Sequence, residues 1–216
     1  MPRLLTRHYI YDAAQRVLHW WIGLATLLMI TTGLIGANME AGSGRAYMWD
    51  LHTVTGYALI VGAVGRLVWG LFGPEHGRFG SLFHVRAWVK TLRTRRIESA
   101  DGPFGHHPQA ALSYLGFYGL LFMMCSSGLT LAGILHGQGP LALETMDDFT
   151  QLDTIREVHE ICMWLIVGFI VAHIMALIVH EKKDQIPMSQ SMVSGYQYRT
   201  SRDSNTAESK HATPES

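Results

Sequence analysis

Four long apolar runs, each with a histidine inside it or at its edge, constrain this sequence more than any other feature. They cover residues 17–37, 52–72, 110–135 and 159–179. Each run has about 20 residues or more, the length that an α-helix needs to cross the hydrocarbon core of a bilayer. Because a spanning segment must satisfy its own backbone hydrogen bonds, each run is predicted to be a helix. We therefore expect an all-α integral membrane protein, a four-helix bundle in up-down-up-down order.

The distribution of charge predicts the orientation of these helices. The basic residues that flank them are Arg3, Arg7 and Arg16 before the first run, Arg78, Arg86, Lys90, Arg93, Arg95 and Arg96 between the second and third, and Lys182 and Lys183 after the fourth. The segment 136–158 instead carries five acidic residues against Arg156 alone. By the positive-inside rule both termini are expected in the cytoplasm.

The rest of the chain gives fewer indications. We predict one membrane domain over residues 1–186 and a disordered cytoplasmic tail over residues 187–216, which is rich in Ser, Thr and charge. Residues 84–96 fit an amphipathic interfacial helix and a merely basic loop about equally well. Lys+Arg and Asp+Glu are both 17, so net charge indicates no partner, and we expect no nucleic acid. Cys125 and Cys162 lie in apolar runs without metal-ligand spacing and are predicted to be buried thiols.

Histidine is the residue that points to chemistry, since four of the 12 histidines lie where a bilayer should exclude polar groups. His159 and His173 are 14 residues apart in the fourth run, which is about 21 Å of helix and just under four turns. Both rings therefore lie on nearly one face, at two depths. His159 lies at the same depth as His52, and His173 lies at the same depth as His19. The sequence thus predicts two facing pairs, His52 with His159 and His19 with His173.

Facing imidazoles at matched depths suit the two axial positions of a haem iron, and helix bundles commonly build cofactor sites in this way. Arg16 lies one turn before His19, and Arg66 lies inside the second run. A haem propionate would give either arginine an anion, although Arg16 is equally well explained as an interface anchor. Gly23 and Gly56 each follow a histidine by four residues and would leave room for a flat macrocycle; ordinary close packing of helices explains them too.

With these features the sequence resembles the bacterial cytochrome b561 family and its relatives, the cytochrome b subunits of membrane-bound nickel-iron hydrogenases and formate dehydrogenases. The resemblance covers residues 7–184. It rests on Arg16-Val-Leu-His19-Trp20, His52-Thr-Val-Thr-Gly56, Arg66-Leu-Val-Trp69, Gly105-His-His-Pro108, the third run from Tyr114 to Ser127-Gly128, and His159 with His173 followed by His180, Lys182 and Lys183.

The resemblance implies two b-type haems with bis-histidine ligation by His19, His52, His159 and His173, and exchange of electrons with a quinone. We therefore predict electron transfer across the membrane between the quinone pool and a periplasmic redox protein, which could be a hydrogenase, a molybdenum enzyme or a c-type cytochrome. A stand-alone superoxide:quinone oxidoreductase and a structural anchor of a redox complex are the alternatives. The quinone is expected near Arg16, His19, His173 and His180, on the cytoplasmic side.

Overall fold

The computed structural model describes residues 5–74, 78, 108–142, 149–185 and 187–200. Its elements are β1 (Leu5–Tyr9), α1 (Ala13–Asn38), α2 (Ser43–Phe72), α3 (Pro108–His136), α4 (Phe149–Asp184), α5 (Ser191–Ser194) and β2 (Tyr196–Thr200). The segment 84–96, for which an amphipathic helix was one prediction, lies outside the described residues.

The four long helices are each long and apolar enough to cross a membrane. This confirms the prediction of a mainly helical protein with four spans. The helices extend beyond the apolar runs, however: α2 begins at Ser43 rather than at His52, and α4 begins at Phe149 rather than at His159. His52 and His159 therefore lie in the interior of their helices, where the backbone around them is fixed on both sides.

The outward faces of these helices are apolar. Phe122 is 73% exposed and Leu24 is 61% exposed, and many other large hydrophobic side chains are similarly open. A soluble protein rarely leaves so much contiguous apolar surface in water, whereas lipid tails cover such a surface without cost. The exposed apolar faces thus support helices that span a membrane, as the length of the helices does.

The chain divides into two compact units, and every long helix contributes to both. Unit 1 comprises residues 1–19, 66–114 and 173–216, and unit 2 comprises residues 20–65 and 115–172. In unit 2 the helices pack in antiparallel order, since Trp21 near the start of α1 donates from its indole N–H to the Ala58 carbonyl at 2.8 Å. Similarly, Phe117 of α3 stacks on Phe169 of α4 at 4.8 Å between ring centroids.

Two small clusters form the core of unit 2. The first consists of Ile22, Met29, Leu59 and Leu121, and the second of Met124, Cys162 and Ile166. The first joins α1, α2 and α3, and the second joins α3 to α4. Cys162 is buried as predicted and Cys125 is half-buried; both are free thiols.

Unit 1 contains a two-stranded antiparallel ribbon in which Leu5 pairs with Thr200 and Tyr9 with Tyr196. The prediction of a disordered tail differs from the structure here, because residues 191–200 form α5 and β2. The tyrosines explain the order: the rings of Tyr9 and Tyr196 meet edge to face at 5.2 Å, and the Arg7 guanidinium lies 3.7 Å above the Tyr196 ring centroid. Residues 201–216 lie outside the described part.

Candidate functional site

The structure brings His52 of α2 and His159 of α4 together in unit 2. Their ring centroids are 6.3 Å apart and the ring planes are inclined by 69°. Imidazoles that bind one metal ion from opposite sides have about 2 Å from each nitrogen to the metal and about 1 Å from nitrogen to ring centre, which places the centroids about 6 Å apart. The observed separation fits one metal atom between the rings, and two ligands are what a six-coordinate haem iron takes from its protein.

Both rings line a cavity of about 740 Å³ in unit 2. This volume lies in the upper part of the range usual for sites that enclose a small molecule or cofactor. Apolar side chains and glycines make up most of its wall, namely Met29, Ile30, Gly33, Leu34, Gly56, Leu59, Ile60, Met124, Gly128, Leu129 and Met163 among others. Such a wall suits a flat apolar macrocycle and excludes water from the metal.

Three potentially cationic side chains also line this cavity, at helix ends that converge there. Arg45 is in the first turn of α2, His136 is the last residue of α3, and Arg156 is in the second turn of α4. Arg156 also pairs with exposed Asp153 at 3.5 Å. The Tyr57 hydroxyl is buried and has no hydrogen-bond partner among the described residues. An anionic group in the cavity would satisfy such donors, and the two carboxylates of a haem b fit that requirement.

The Nδ1 side of each ring is held against a neighbouring helix. His52 Nδ1 lies 3.1 Å from the Met29 carbonyl oxygen and 3.2 Å from Thr32 Oγ1, both on α1. His159 Nδ1 lies 2.9 Å from Ser127 Oγ on α3. These contacts engage one nitrogen of each ring with protein and leave Nε2 as the nitrogen available to a metal.

The second predicted pair, His19 of α1 and His173 of α4, lies in unit 1. Its ring centroids are 6.4 Å apart with planes inclined by 56°. Both side chains are exposed in the protein without ligand, so a macrocycle could reach them. The separation satisfies the same test as that of the first pair, so in both pairs the two rings are far enough apart to leave room for one metal atom between them.

Both predicted arginines also lie in unit 1. Arg66 is close enough to His19 for a direct electrostatic interaction. Arg16 donates from Nη1 to the Val193 carbonyl oxygen at 2.6 Å, while its Nε is buried without a hydrogen-bond partner among the described residues. A guanidinium whose Nε–H is buried and unsatisfied suits a carboxylate ligand, so the residues present in unit 1 fit a haem as well.

Sequence reasoning missed several residues of the site in unit 2. Gly33 and Gly128 are the glycines against the rings of His52 and His159: a Cβ at either position would lie 3.2 Å from the Cε1 atom of the facing ring. Gly56 lines the cavity as the macrocycle argument requires, although its nearest neighbour is the Met29 side chain. A usable signal was present, since Met-Ile-Thr-Thr-Gly at 29–33 and Met-Cys-Ser-Ser-Gly at 124–128 share one pattern.

The sequence is similar to those of known b-type cytochromes. The sequence model of the prokaryotic cytochrome b561 family matches residues 10–195. A probable Ni/Fe-hydrogenase B-type cytochrome subunit of Azotobacter chroococcum is 28% identical over 90% of both chains. A protein of the same description from Cupriavidus necator is 28% identical over 90% of this chain and 88% of its own. The probable Ni/Fe-hydrogenase 1 B-type cytochrome subunit of Escherichia coli strain K12 is 25% identical over 88% of this chain and 90% of its own.

The family match covers most of the sequence, including all four histidines of the two pairs and the four candidate spans. Members of a cytochrome b family carry haem and transfer electrons. From the match, the four long helices and the two histidine pairs, we conclude that the chain belongs to the prokaryotic cytochrome b561 family, whose members are multi-pass membrane cytochromes of the b type that transfer electrons across the membrane.

Proposed function

We propose that the chain is a di-haem cytochrome b subunit that transfers electrons between a periplasmic Ni/Fe-hydrogenase and the quinone pool of a bacterial inner membrane. The observation that carries this proposal is the presence of two histidine pairs with ring centroids 6.3 and 6.4 Å apart. Each bound haem supplies a one-electron carrier of adjustable potential.

In unit 2 we assign His52 and His159 as the axial ligands of one haem b. The cavity around them supplies an apolar wall that keeps water from the metal. Arg45, His136 and Arg156 are the candidates to hold the carboxylates, together with the Tyr57 hydroxyl. The chain's own contribution at this site is to orient two imidazoles, to exclude water and to neutralise the propionates.

In unit 1 we assign His19 and His173 as the ligands of the second haem b, with Arg16 and Arg66 beside its carboxylates. Arg16 is held by the Val193 carbonyl, which lies in α5. The C-terminal segment therefore helps to fix a candidate haem-binding arginine. This contact gives residues 187–200 a part in the site.

The side of the membrane follows from the loop charges. With both termini in the cytoplasm, the His52–His159 site belongs to the periplasmic side and the His19–His173 site to the cytoplasmic side. Electrons that move inward travel against a potential that is negative inside, at a cost of about 2.3 kcal/mol per 100 mV for a full crossing. Proton uptake from the cytoplasm on quinone reduction would conserve that energy.

We place quinone reduction near Arg16, His19, His173 and His180. His180 lies in α4, seven residues beyond His173, and its side chain is exposed. A histidine there can pass a proton from the aqueous phase to a reduced quinone, since histidine commonly acts as a proton shuttle. Replacing His180 with Leu is expected to keep both haems and to slow quinone turnover. Unchanged kinetics, with an inhibitor found at the other histidine pair, would contradict this placement.

The hydrogenase partner is inferred from the relatives, which are described as hydrogenase cytochrome subunits and match nearly the whole chain. The test is purification from native membranes with and without associated proteins, followed by optical spectra under hydrogen. We expect two haems per chain, reduced by hydrogen only in the presence of the partner. A colourless chain would support the structural anchor instead. Reduction of quinone by superoxide with the chain alone would support the stand-alone enzyme.

A further inference from the structure

We propose that Thr32 and Ser127 are positioning residues, each of which fixes its histidine with the proton on Nδ1 and the lone pair on Nε2. The proposal rests on the assignment of His52 and His159 as haem ligands in unit 2. It adds that the two hydroxyls set the tautomer and the basicity of those ligands, and through them the potential of one haem.

The direction of the Thr32 hydrogen bond follows from counting protons. A hydroxyl has one proton to donate and two lone pairs to accept with. Thr32 Oγ1 lies 2.8 Å from the Leu28 carbonyl oxygen and 3.2 Å from the Met29 carbonyl oxygen, and both of these groups only accept. The hydroxyl proton is therefore committed to the helix backbone. Toward His52, Thr32 presents a lone pair.

His52 Nδ1 thus meets two acceptors, the Thr32 hydroxyl oxygen and the Met29 carbonyl oxygen, at 3.2 and 3.1 Å. A nitrogen placed between two acceptors must carry the proton, since otherwise three sets of lone pairs would face one another in a buried place. Thr32 is 2% exposed, so no water is at hand to relieve such a conflict. The neutral ring then has its lone pair on Nε2, the form that binds a metal.

Ser127 repeats this arrangement at His159. Its hydroxyl lies 2.8 Å from the Met123 carbonyl oxygen and 3.1 Å from the Met124 carbonyl oxygen, and its lone pairs face His159 Nδ1 at 2.9 Å. The Met124 carbonyl also accepts a hydrogen bond from His159, as the Met29 carbonyl does from His52. The same tautomer follows for His159.

Both arrangements come from the same five-residue pattern. In 29–33 and 124–128, a Met carbonyl, a Thr or Ser hydroxyl three residues later and the next Gly all contact one histidine ring. The glycine lets the ring approach the helix and the hydroxyl fixes its rotation. Helix packing alone requires a small residue at these positions and not a hydroxyl. The recurrence on α1 and on α3 therefore indicates a requirement set by the histidines.

The chemical consequence is a shift in haem potential. An imidazole that donates a hydrogen bond from Nδ1 is more electron-rich at Nε2 and favours the oxidised metal. Removal of one acceptor weakens that effect, and the remaining Met carbonyl preserves part of it. Loss of either hydroxyl is therefore expected to raise the midpoint potential of one haem and to leave the other haem unchanged.

The test compares Thr32→Val and Ser127→Ala with wild type in the full-length purified protein. The readouts are haem content, potentiometric titration and the EPR g values of the oxidised haems. Thr32→Ser and Ser127→Thr keep a hydroxyl at each position and should therefore keep the wild-type potentials and g values. Thr31→Val and Thr130→Val are matched controls, because exposed Thr31 and half-buried Thr130 also bond to backbone carbonyls, at 2.8 and 3.0 Å, on the same helices.

We expect Thr32→Val and Ser127→Ala to shift the same one of two haems to a higher potential, with altered g values. Loss of that haem in Thr32→Val together with its retention in Thr32→Ser would also support the proposal. Unchanged potential and g values in Thr32→Val and Ser127→Ala would overturn it. Equal shifts in the Thr31 and Thr130 controls would also overturn it, and so would loss of haem in both Thr32→Val and Thr32→Ser. A wild-type protein without haem would refute the proposed function itself, which keeps the two failures distinct.

Discussion

Replacing Gly33 with Ala tests whether the ring of His52 needs the space that this glycine leaves. A Cβ at Gly33 would lie 3.2 Å from His52 Cε1 and 3.4 Å from Nδ1. Carbon atoms pack best at about 3.5–4.0 Å, so the ring must withdraw by a few tenths of an ångström. His52 Nδ1 is already 3.2 Å from Thr32 Oγ1, so a change of this size brings that hydrogen bond to the edge of its range.

The expected magnitudes separate stability from function. Overpacking costs about 1–3 kcal/mol, and Ala in place of Gly gains about 1 kcal/mol in a helix interior. The net loss in the free energy of unfolding is therefore about 0–2 kcal/mol. Haem binding requires the displaced ring to return toward the new Cβ, so an overpacking cost of about 1.4 kcal/mol at that step would weaken haem binding at His52 about tenfold.

The assay is the ratio of haem to protein during titration with a competing apoprotein, alongside thermal unfolding in detergent. Gly119→Ala is the control, because a Cβ there meets nothing within 4 Å and should only stabilise. Gly128→Ala, on the same helix α3 as this control, should behave like Gly33→Ala, since its Cβ would lie 3.2 Å from His159 Cε1. Equal haem affinity in the Gly33 and Gly119 variants would refute the reasoning.

Three further predictions concern the rest of the molecule. Asp12→Ala should lower the free energy of unfolding by about 1 kcal/mol or more, because the carboxylate accepts from the Gln15 backbone N–H at 2.9 Å and from the Trp69 indole at 3.0 Å. In a thermal melt, Asp12→Asn should keep most of the wild-type stability, because its amide oxygen can still accept. Gly195→Ala should destabilise by about 1–2 kcal/mol, since Gly195 has φ of +85° and accepts from Ile10 and Tyr11; a melt unaffected by this change would show that the ribbon contributes little. Reporter fusions after Ser216 and near Asp147 should give a cytoplasmic and a periplasmic signal respectively, and a periplasmic signal after Ser216 would overturn the predicted topology.

The helices and the histidine pairs could be predicted from the sequence because both depend on periodicity and depth alone. An uncharged run of about 20 residues fixes a span, and a 14-residue gap between His159 and His173 fixes a shared face. The structure brings together the partners that this reasoning paired. The helices α2 and α4 begin before the predicted apolar runs, because polar residues such as Arg45 and Asp153 continue a helix beyond an apolar run.

The contacts of the site could not be predicted in the same way. Thr32 is one of two adjacent threonines, and only the rotation of α1 against α2 decides which of them meets His52. Likewise, only the way in which α1 faces α2 shows that Gly33 lies against the His52 ring. The ribbon was missed because five-residue strands leave little pattern, and β2 pairs with a segment almost 200 residues earlier.

The central claim is that two histidine pairs each hold one haem, and single replacement of the four histidines by Leu tests it most directly. Haem content and low-temperature spectra of the purified variants should fall into two classes. His52→Leu and His159→Leu should lose one spectral component, and His19→Leu and His173→Leu should lose the other, while His180→Leu retains both. If one of the four variants kept both haems, or if the variants grouped across the pairs, the assignment of ligands would be contradicted.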